Sequence, residues 1–146
     1  MGMAHAKYTV AVQRPIGDVY DFLADGLNDL KWRPDLIEVH LESGTASSVG
    51  AVYAQTMKGP GGRRIKGDYR ITVAERPTRL NFEVIAGPAR PLGSFELEAV
   101  SPTSTLVSFA LDLVPTGLMK LMGAMIAKQV DAEAAAIVRL PEAMTR

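Results

Sequence analysis

The chain has 146 residues, enough for one domain with its own core, and its sixteen Lys and Arg residues balance sixteen Asp and Glu residues. A net charge of zero argues against nucleic acid or an anionic membrane as the main partner. The chain contains no cysteine and shows no secretory signal pattern, so we expect a cytoplasmic protein without disulfides or cysteine-ligated metals.

The first elements are predicted to be a tail, a strand and two short helices. We assign residues 1–7 to the tail and the β-prone residues 8–13 to the first strand. Pro15 suits the first turn of a helix, which carries apolar residues at helical spacing. A second helical turn, at residues 28–32, must stop before Pro34 because proline disfavours helix in the residue that precedes it.

From residue 37 to residue 113 apolar and polar side chains alternate, which predicts strands with one buried face. In the first of these strands, Ile37, Val39 and Leu41 form the core face and His40 lies on the wet face. Turn-forming residues separate the strands, so we predict an antiparallel meander. Its strands cover residues 37–41, 51–58, 65–73, 79–85, 93–100 and 103–113.

The same alternation predicts which strand residues point inward, and the favoured parity is the one that buries the larger apolar side chains. For residues 51–58 the opposite parity, with Val52, Ala54 and Thr56 inward, is nearly as good. The favoured inward set is Tyr53, Gln55, Met57, Tyr69, Ile71, Val73, Leu80, Phe82, Val84, Phe95, Leu97, Val107, Phe109, Leu111 and Leu113.

Residues 117–140 are predicted to form one long amphipathic helix. Gln129 and Glu133 fall inside its apolar stripe, where an unpartnered polar group would cost about 1–3 kcal/mol, so each needs a partner from protein, water or ligand. The apolar run at residues 117–127 is shorter than the roughly 20 residues that span a bilayer, so no stable membrane insertion is expected. The apolar face consists of Leu118, Met122, Met125, Ile126, Ala136 and Leu140.

The predicted sheet is too wide for one helix to cover. Seven strands at about 4.8 Å spacing span about 30 Å, whereas a helix with its side chains is about 10–12 Å across. The sheet must therefore curl around the helix. Only 6% of the residues are aromatic, so bulky side chains that could fill the concave side are few, and we expect an open pocket there.

Residues for common catalytic and metal sites are scarce. His5 lies in the predicted tail and His40 on a wet face, so neither a Ser-His-Asp triad nor a histidine metal site is expected. Inward polar groups either hydrogen-bond one another in the core or orient a ligand, and in a cyclase a tyrosine could act as acid and Glu133 as base. These groups are Tyr53, Gln55, Tyr69, Gln129 and Glu133.

Several segments carry a family resemblance. Residues 14–25 (Arg-Pro-Ile-Gly-Asp-Val-Tyr-Asp-Phe-Leu-Ala-Asp) resemble the strand exit and first helix of the polyketide cyclase/dehydrase-like branch of the SRPBCC superfamily. Asn28 and residues 32–34 (Trp-Arg-Pro) resemble its Asn…Trp-x-Pro segment. Its later landmarks are similar to Val49-Gly50 with Tyr53 and to residues 75–80.

The resemblance implies an α+β helix-grip fold, as in START and birch-pollen-allergen-like proteins. A curved antiparallel sheet of about seven strands would wrap around a long C-terminal helix, with two short helices after the first strand. Residues 8–146 would form a single ligand-binding domain. The family further implies a deep apolar pocket for lipids, sterols or polyketides, with Trp32 at the pocket. Catalytic residues differ between its branches, so none is assigned.

We therefore expect the chain to bind a small apolar or amphipathic ligand between sheet and helix, with no metal or organic cofactor. The alternatives are a polyketide cyclase/aromatase or dehydratase-type enzyme that uses the same pocket, and an interaction module without a ligand. We leave open whether the protein forms a homodimer. The predicted ligand-binding residues are Trp32, Tyr53, Gln55, Met57, Tyr69, Phe82, Val84, Phe95, Leu97, Phe109, Leu111, Leu118, Met122, Met125 and Gln129.

Overall fold

An antiparallel sheet dominates the computed structural model, which describes residues 4–87, 89–113 and 123–145. The strands of this described part are β1 Ala4–Val12, β2 Leu36–Ser43, β3 Val52–Lys58, β4 Arg64–Lys66, β5 Tyr69–Glu75, β6 Arg79–Val84, β7 Leu92–Ser101 and β8 Ser104–Leu113. Their order in the sheet is β1-β8-β7-β6-β5-β3-β2, and β4 pairs with β3 beside this path. The first of these strands therefore lies next to the last, and β1 and β2 form the two edges.

Helical segments cover the concave side of the sheet. After β1 come α1 (Ile16–Ala24) and a 3₁₀ helix (Gly26–Lys31), and near the C-terminus come α2 (Gly123–Ala135), a 3₁₀ turn (Ala136–Arg139) and α3 (Leu140–Ala143). The α2 helix packs on β1 and β8. None of the described helices has the length and apolarity needed to cross a membrane. This arrangement confirms the predicted α+β helix-grip fold.

The N-terminal strand is longer than predicted. Residues 4–7 were expected in a tail, but they belong to β1, where Ala4 pairs with Leu113 and Ala6 with Leu111. The two alanines are buried, and His5 on the opposite face hydrogen-bonds Asp112. Residues 4–7 have modest β-propensity, but pairing with β8 holds them in the sheet. Local propensity alone does not predict such pairing with a strand that is distant in the sequence.

Two register shifts explain where the alternation fails, because an extra residue in one strand moves the following side chains to the other face. A shift between Leu36 and Glu38 buries Leu36 and leaves Ile37 37% exposed, so the prediction that Ile37 faces the core is wrong.

A shift after Ile71 has the same effect in β5. It places Val73 opposite Asn81, while Ala74 pairs with the buried Leu80 and packs on the core. The prediction that Val73 points inward is therefore also wrong. In β3, Tyr53, Gln55 and Met57 are buried, as the favoured parity predicted, and the small Ala54 of the opposite parity is buried as well.

The C-terminal helix is less regular than predicted. Residues 117–122, including the predicted wall residues Leu118 and Met122, lie outside the described residues. From residue 123 onward the backbone stays helical but changes to 3₁₀ geometry at residues 136–139. The face against the sheet is formed by Val130, Ala134, Ile137 and Leu140, all buried. Met125 is 51% exposed, although it also lines the cavity described below.

Candidate functional site

A cavity of about 230 Å³ lies between the concave face of the sheet and α2. This volume is slightly below the range of about 300–1,000 Å³ that is usual for small-molecule pockets. Side chains from strands and helix together form its wall, so the space exists only because the sheet curls around the helix. The apolar part of this wall includes the aliphatic side chains of Met57, Val84, Leu111, Leu113, Ile126 and Val130.

Most predicted site residues that the structure describes border this space. Trp32 and Phe95 instead border a small recess of about 20 Å³ beside it. Tyr53 and Leu97 are buried in the core and line neither space. The predicted residues that line the cavity are Gln55, Met57, Tyr69, Phe82, Val84, Phe109, Leu111, Met125 and Gln129.

The aromatic residues occupy one end of the interior. Trp32 meets Phe95 and Phe109 edge-on, Phe95 and Phe109 stack with centroids 4.4 Å apart, and Phe82 contacts both. The row continues through Tyr69, which contacts Phe82 and stacks on Tyr53 at 5.4 Å. Six touching rings fill this end, whereas aliphatic side chains border the other. The space that side chains leave unfilled therefore lies on the side of the interior next to α2.

The recess adjoins the cavity, since Arg33, Tyr69, Phe82 and Phe109 line both. The 3₁₀ helix can approach the strands closely here because it begins with glycine. A Cβ on Gly26 would lie 2.3 Å from the Tyr69 hydroxyl, far inside van der Waals contact. The glycine thus permits the approach that brings the following turn over the aromatic row.

Asp29 is the buried centre of the polar groups at this end. Its Oδ2 accepts hydrogen bonds from the Tyr69 hydroxyl (3.1 Å), Gln55 Nε2 (3.1 Å) and Arg33 Nη1 (3.4 Å). Burial raises the pKa of the Asp29 carboxyl to about 6, although the Arg33 charge and these hydrogen bonds act in the opposite direction. Burial and the nearby Asp29 also raise the pKa of Tyr69 well above its ordinary value. For Asp29, burial thus changes the pKa more than Arg33 and the hydrogen bonds do together.

Arg33 connects Asp29 to the C-terminal helix. Its guanidinium donates to Gln55 Oε1 (3.3 Å) and lies 3.7 Å from Glu133 Oε1, and Gln129 Nε2 donates to Glu133 Oε2 (3.5 Å). Burial raises the pKa of Glu133, and Arg33 lowers it in part. The two polar residues of the predicted apolar stripe therefore border the cavity and have protein partners. We call Asp29, Arg33, Gln55, Tyr69 and Glu133 the polar cluster.

Sequence reasoning missed Asp29 and Arg33. A signal for them existed: they stand four residues apart in a helical segment, the spacing at which a carboxylate and a guanidinium pair. That signal shows the pair but not its burial, which depends on Gln55 and Tyr69 from distant strands.

A wider cleft of about 770 Å³ lies on the outside, between the segment around Trp32 and α3. Charged side chains, among them Arg14, Lys31 and Arg139, border it, and it is more open to solvent than the cavity. Among the residues that the structure describes, no three acidic or histidine side chains converge to hold a metal ion. The enclosed cavity with its polar cluster is therefore the candidate site.

The sequence model of the family described as polyketide cyclase/dehydrase and lipid transport matches residues 3–141. The chain belongs to this family. No curated protein matches the sequence. The family resemblance in residues 14–25 and around Trp32 is thereby confirmed.

Solved structures of other proteins have the same fold as this member of the polyketide cyclase/dehydrase and lipid transport family. The Zhui aromatase/cyclase from Streptomyces sp. R1128 superposes with a TM-score of 0.73 at 18% identity, covering 99% of this chain and 97% of that chain. A START superfamily protein from Mycobacterium smegmatis gives 0.71 at 16% identity, with 98% and 99% covered. Major latex-like protein 151 from Panax ginseng gives 0.64 at 13% identity, with 92% and 98% covered. At these identities the likeness shows the fold alone.

Proposed function

We propose that the protein binds a small apolar or amphipathic ligand in the cavity between the sheet and α2. The observation that carries this proposal is the cavity itself, about 230 Å³ enclosed mainly by aliphatic and aromatic side chains. A few polar groups converge at one end, which is how an apolar site fixes the orientation of its ligand. Family membership supports the same class of ligand, because the family description includes lipid transport.

A pair of tryptophan substitutions in α2 tests this proposal. Ile126 is half-buried and lines the cavity, whereas its neighbour Ala127 is exposed. Ile126→Trp should fill part of the cavity and weaken binding of 2-naphthol at least tenfold in isothermal calorimetry. Ala127→Trp adds the same ring on the solvent side and should bind like the unmodified protein. Equal affinities in all three proteins, with circular dichroism showing that each is folded, would refute the location of the site.

A second candidate function is a cyclase or dehydratase that uses the same cavity. The polar cluster favours it, because Asp29 and Glu133 have raised pKa values and Tyr69 lies beside Asp29. A carboxyl group whose pKa is raised above its ordinary value is better suited to proton transfer at physiological pH. Glu133, which lines the cavity, would remove a proton from a carbon next to a carbonyl, and that carbon would bond to a second carbonyl carbon of the same molecule, whose oxygen takes up the proton. The resulting alcohol would leave as water together with a proton from the neighbouring carbon, which forms a carbon–carbon double bond.

Mass spectrometry of a linear β-polyketone thioester incubated with the protein separates the two functions. Catalysis predicts a cyclised, dehydrated product that forms faster than in buffer and at a strongly reduced rate with Glu133→Gln. The exposed Glu142→Gln in α3 is the control and should leave the rate unchanged. A product that accumulates only at the rate seen in buffer would leave ligand binding as the proposed function.

A further inference from the structure

Among the residues that the structure describes, the carboxylate of Glu133 has only long contacts. Its Oε1 lies 3.7 Å from Arg33 Nη2, and its Oε2 accepts from Gln129 Nε2 at 3.5 Å. Both partners line the cavity, as Glu133 itself does, and 22% of the Glu133 side chain remains accessible. Charge-assisted hydrogen bonds to a carboxylate are usually about 2.7–2.9 Å long. The protein therefore leaves much of the accepting capacity of Glu133 unused.

The surroundings of Glu133 disfavour its charged form. Burial and, to a smaller extent, Asp35 raise the pKa of Glu133, and Arg33 and Gln129 lower it only in part. A carboxyl group whose pKa stays raised beside a guanidinium lacks sufficient stabilisation of its ionised form. A further donor that carries a positive charge would supply this stabilisation.

Around this end of the cavity, carboxylates outnumber basic groups among the described residues. Asp29 and Glu133 share the guanidinium of Arg33. Lys66, the other basic residue in this part of the wall, is mostly exposed and pairs with Asp68 (3.5 Å). Three carboxylates thus face two basic groups, which leaves one negative charge unbalanced when all five are ionised. This balance favours a cationic ligand group over a neutral one and disfavours an anionic one.

We propose that the ligand of the cavity is an amphipathic amine, whose ammonium group donates hydrogen bonds to the Glu133 carboxylate. The proposal rests on the proposed function, because the apolar part of the same ligand occupies the aliphatic part of the cavity. Ile126, Val130 and Glu133 line the cavity from one face of α2. Ile126 and Glu133 are seven positions apart in this helix, which corresponds to a rise of about 10 Å. This length fits an amine with a bicyclic apolar body.

The ion pair should be favourable although the cavity is enclosed. Loss of hydration can offset the attraction between two buried charges. Most of the Glu133 side chain is already covered in the folded protein, so the ammonium group accounts for most of the hydration that binding removes. An ammonium group also has three donors, enough for both oxygens of the carboxylate.

Three naphthalenes that differ in one small polar group test the charge of the ligand. Calorimetric titrations at about pH 7.5 would compare 2-naphthylmethylamine, a cation at this pH, with neutral 2-naphthylmethanol and anionic 2-naphthoate. We expect the amine to bind at least tenfold more tightly than the alcohol, and the alcohol more tightly than naphthoate. In Glu133→Gln, the amine and the alcohol should bind alike. The exposed Glu98→Gln in β7 removes the same charge outside the cavity and should keep the advantage of the amine.

Nuclear magnetic resonance of the unmodified protein keeps the test independent of how Glu133→Gln folds. The side-chain carboxyl resonance of Glu133 should titrate about one pH unit lower with the amine bound than with the alcohol bound, the counterpart of a tenfold difference in affinity.

Equal affinity for the amine and the alcohol, tighter binding of naphthoate, or an unchanged titration of Glu133 would overturn the amine but leave the cavity as the binding site. An advantage of the amine that persists in folded Glu133→Gln, or that Glu98→Gln also removes, would place its origin elsewhere and overturn the proposal too. If none of the three compounds bound, both this proposal and the proposed function would fail.

Discussion

Substituting Asp29 by asparagine should change how the stability of the protein depends on pH. Burial raises the pKa of this carboxyl from 3.8 to about 6, so the folded state keeps its proton at pH values where the unfolded chain has lost it. The contribution of Asp29 is therefore most favourable below about pH 4 and is lost as the pH rises to about 6. A difference of about two pH units corresponds to about 3 kcal/mol in the free energy of unfolding. An asparagine side chain does not titrate, so the variant should lack this change.

Urea unfolding of both proteins between about pH 4 and pH 7.5 measures the difference. Other carboxyls titrate in both, such as Asp21, whose pKa the Arg76 guanidinium lowers, so their contributions cancel in the comparison. The unmodified protein should lose about 2.5 kcal/mol relative to Asp29→Asn over this range, because the unfolded chain already holds part of the proton at pH 4. Stability curves that stay parallel within about 0.5 kcal/mol would refute the reasoning, because they would mean that the folded protein ionises Asp29 as easily as the unfolded chain does.

Two further substitutions test the packing and the opening of the cavity. Gly93→Ala should lower the free energy of unfolding by about 1–3 kcal/mol in urea titrations, since the added Cβ would lie 2.1 Å from the Phe82 ring. Among the described residues, no atom lies within 4 Å of a Cβ added at Gly123, so Gly123→Ala is the control, and equal stability of the two variants would contradict this expectation. Met125→Glu should weaken 2-naphthol binding roughly fivefold, because the half-exposed thioether contributes about 1 kcal/mol of apolar contact. The exposed Ala124→Glu should bind normally, and unchanged affinity in a folded Met125→Glu would exclude Met125 from the ligand contact.

Alternation along the strands predicted the inner face well wherever the pairing stayed regular. Tyr53, Gln55 and Met57 are all buried, as a period of two along β3 predicts, although Ala54 between them is buried too. The same rule failed for Ile37 and Val73, which follow register shifts. No glycine or proline marks either shift, so the sequence carries no local sign that an extra residue is accommodated there.

The polar cluster shows a different limit. Gln129 and Glu133 could be predicted to need partners, because a polar side chain in an apolar stripe is costly without one. That Arg33 is the partner of Glu133 could not be predicted, since the two residues lie a hundred positions apart in the sequence. Periodicity reports the face on which a residue lies, not which distant residue lies opposite it. The burial of Asp29 could not be predicted for the same reason.

The row of touching aromatic rings also determines the fluorescence of the protein. Tyr53 and Tyr69 stand in the same row as Trp32, with successive ring centroids between 4.4 and 6.3 Å apart. At such separations, excitation absorbed by the tyrosines passes to the indole, so the folded protein emits mainly from Trp32. The middle of the row, at Tyr69 and Phe82, borders the cavity. An absorbing molecule held there would intercept part of that excitation, so the emission of the unlabelled protein reports whether the cavity is occupied.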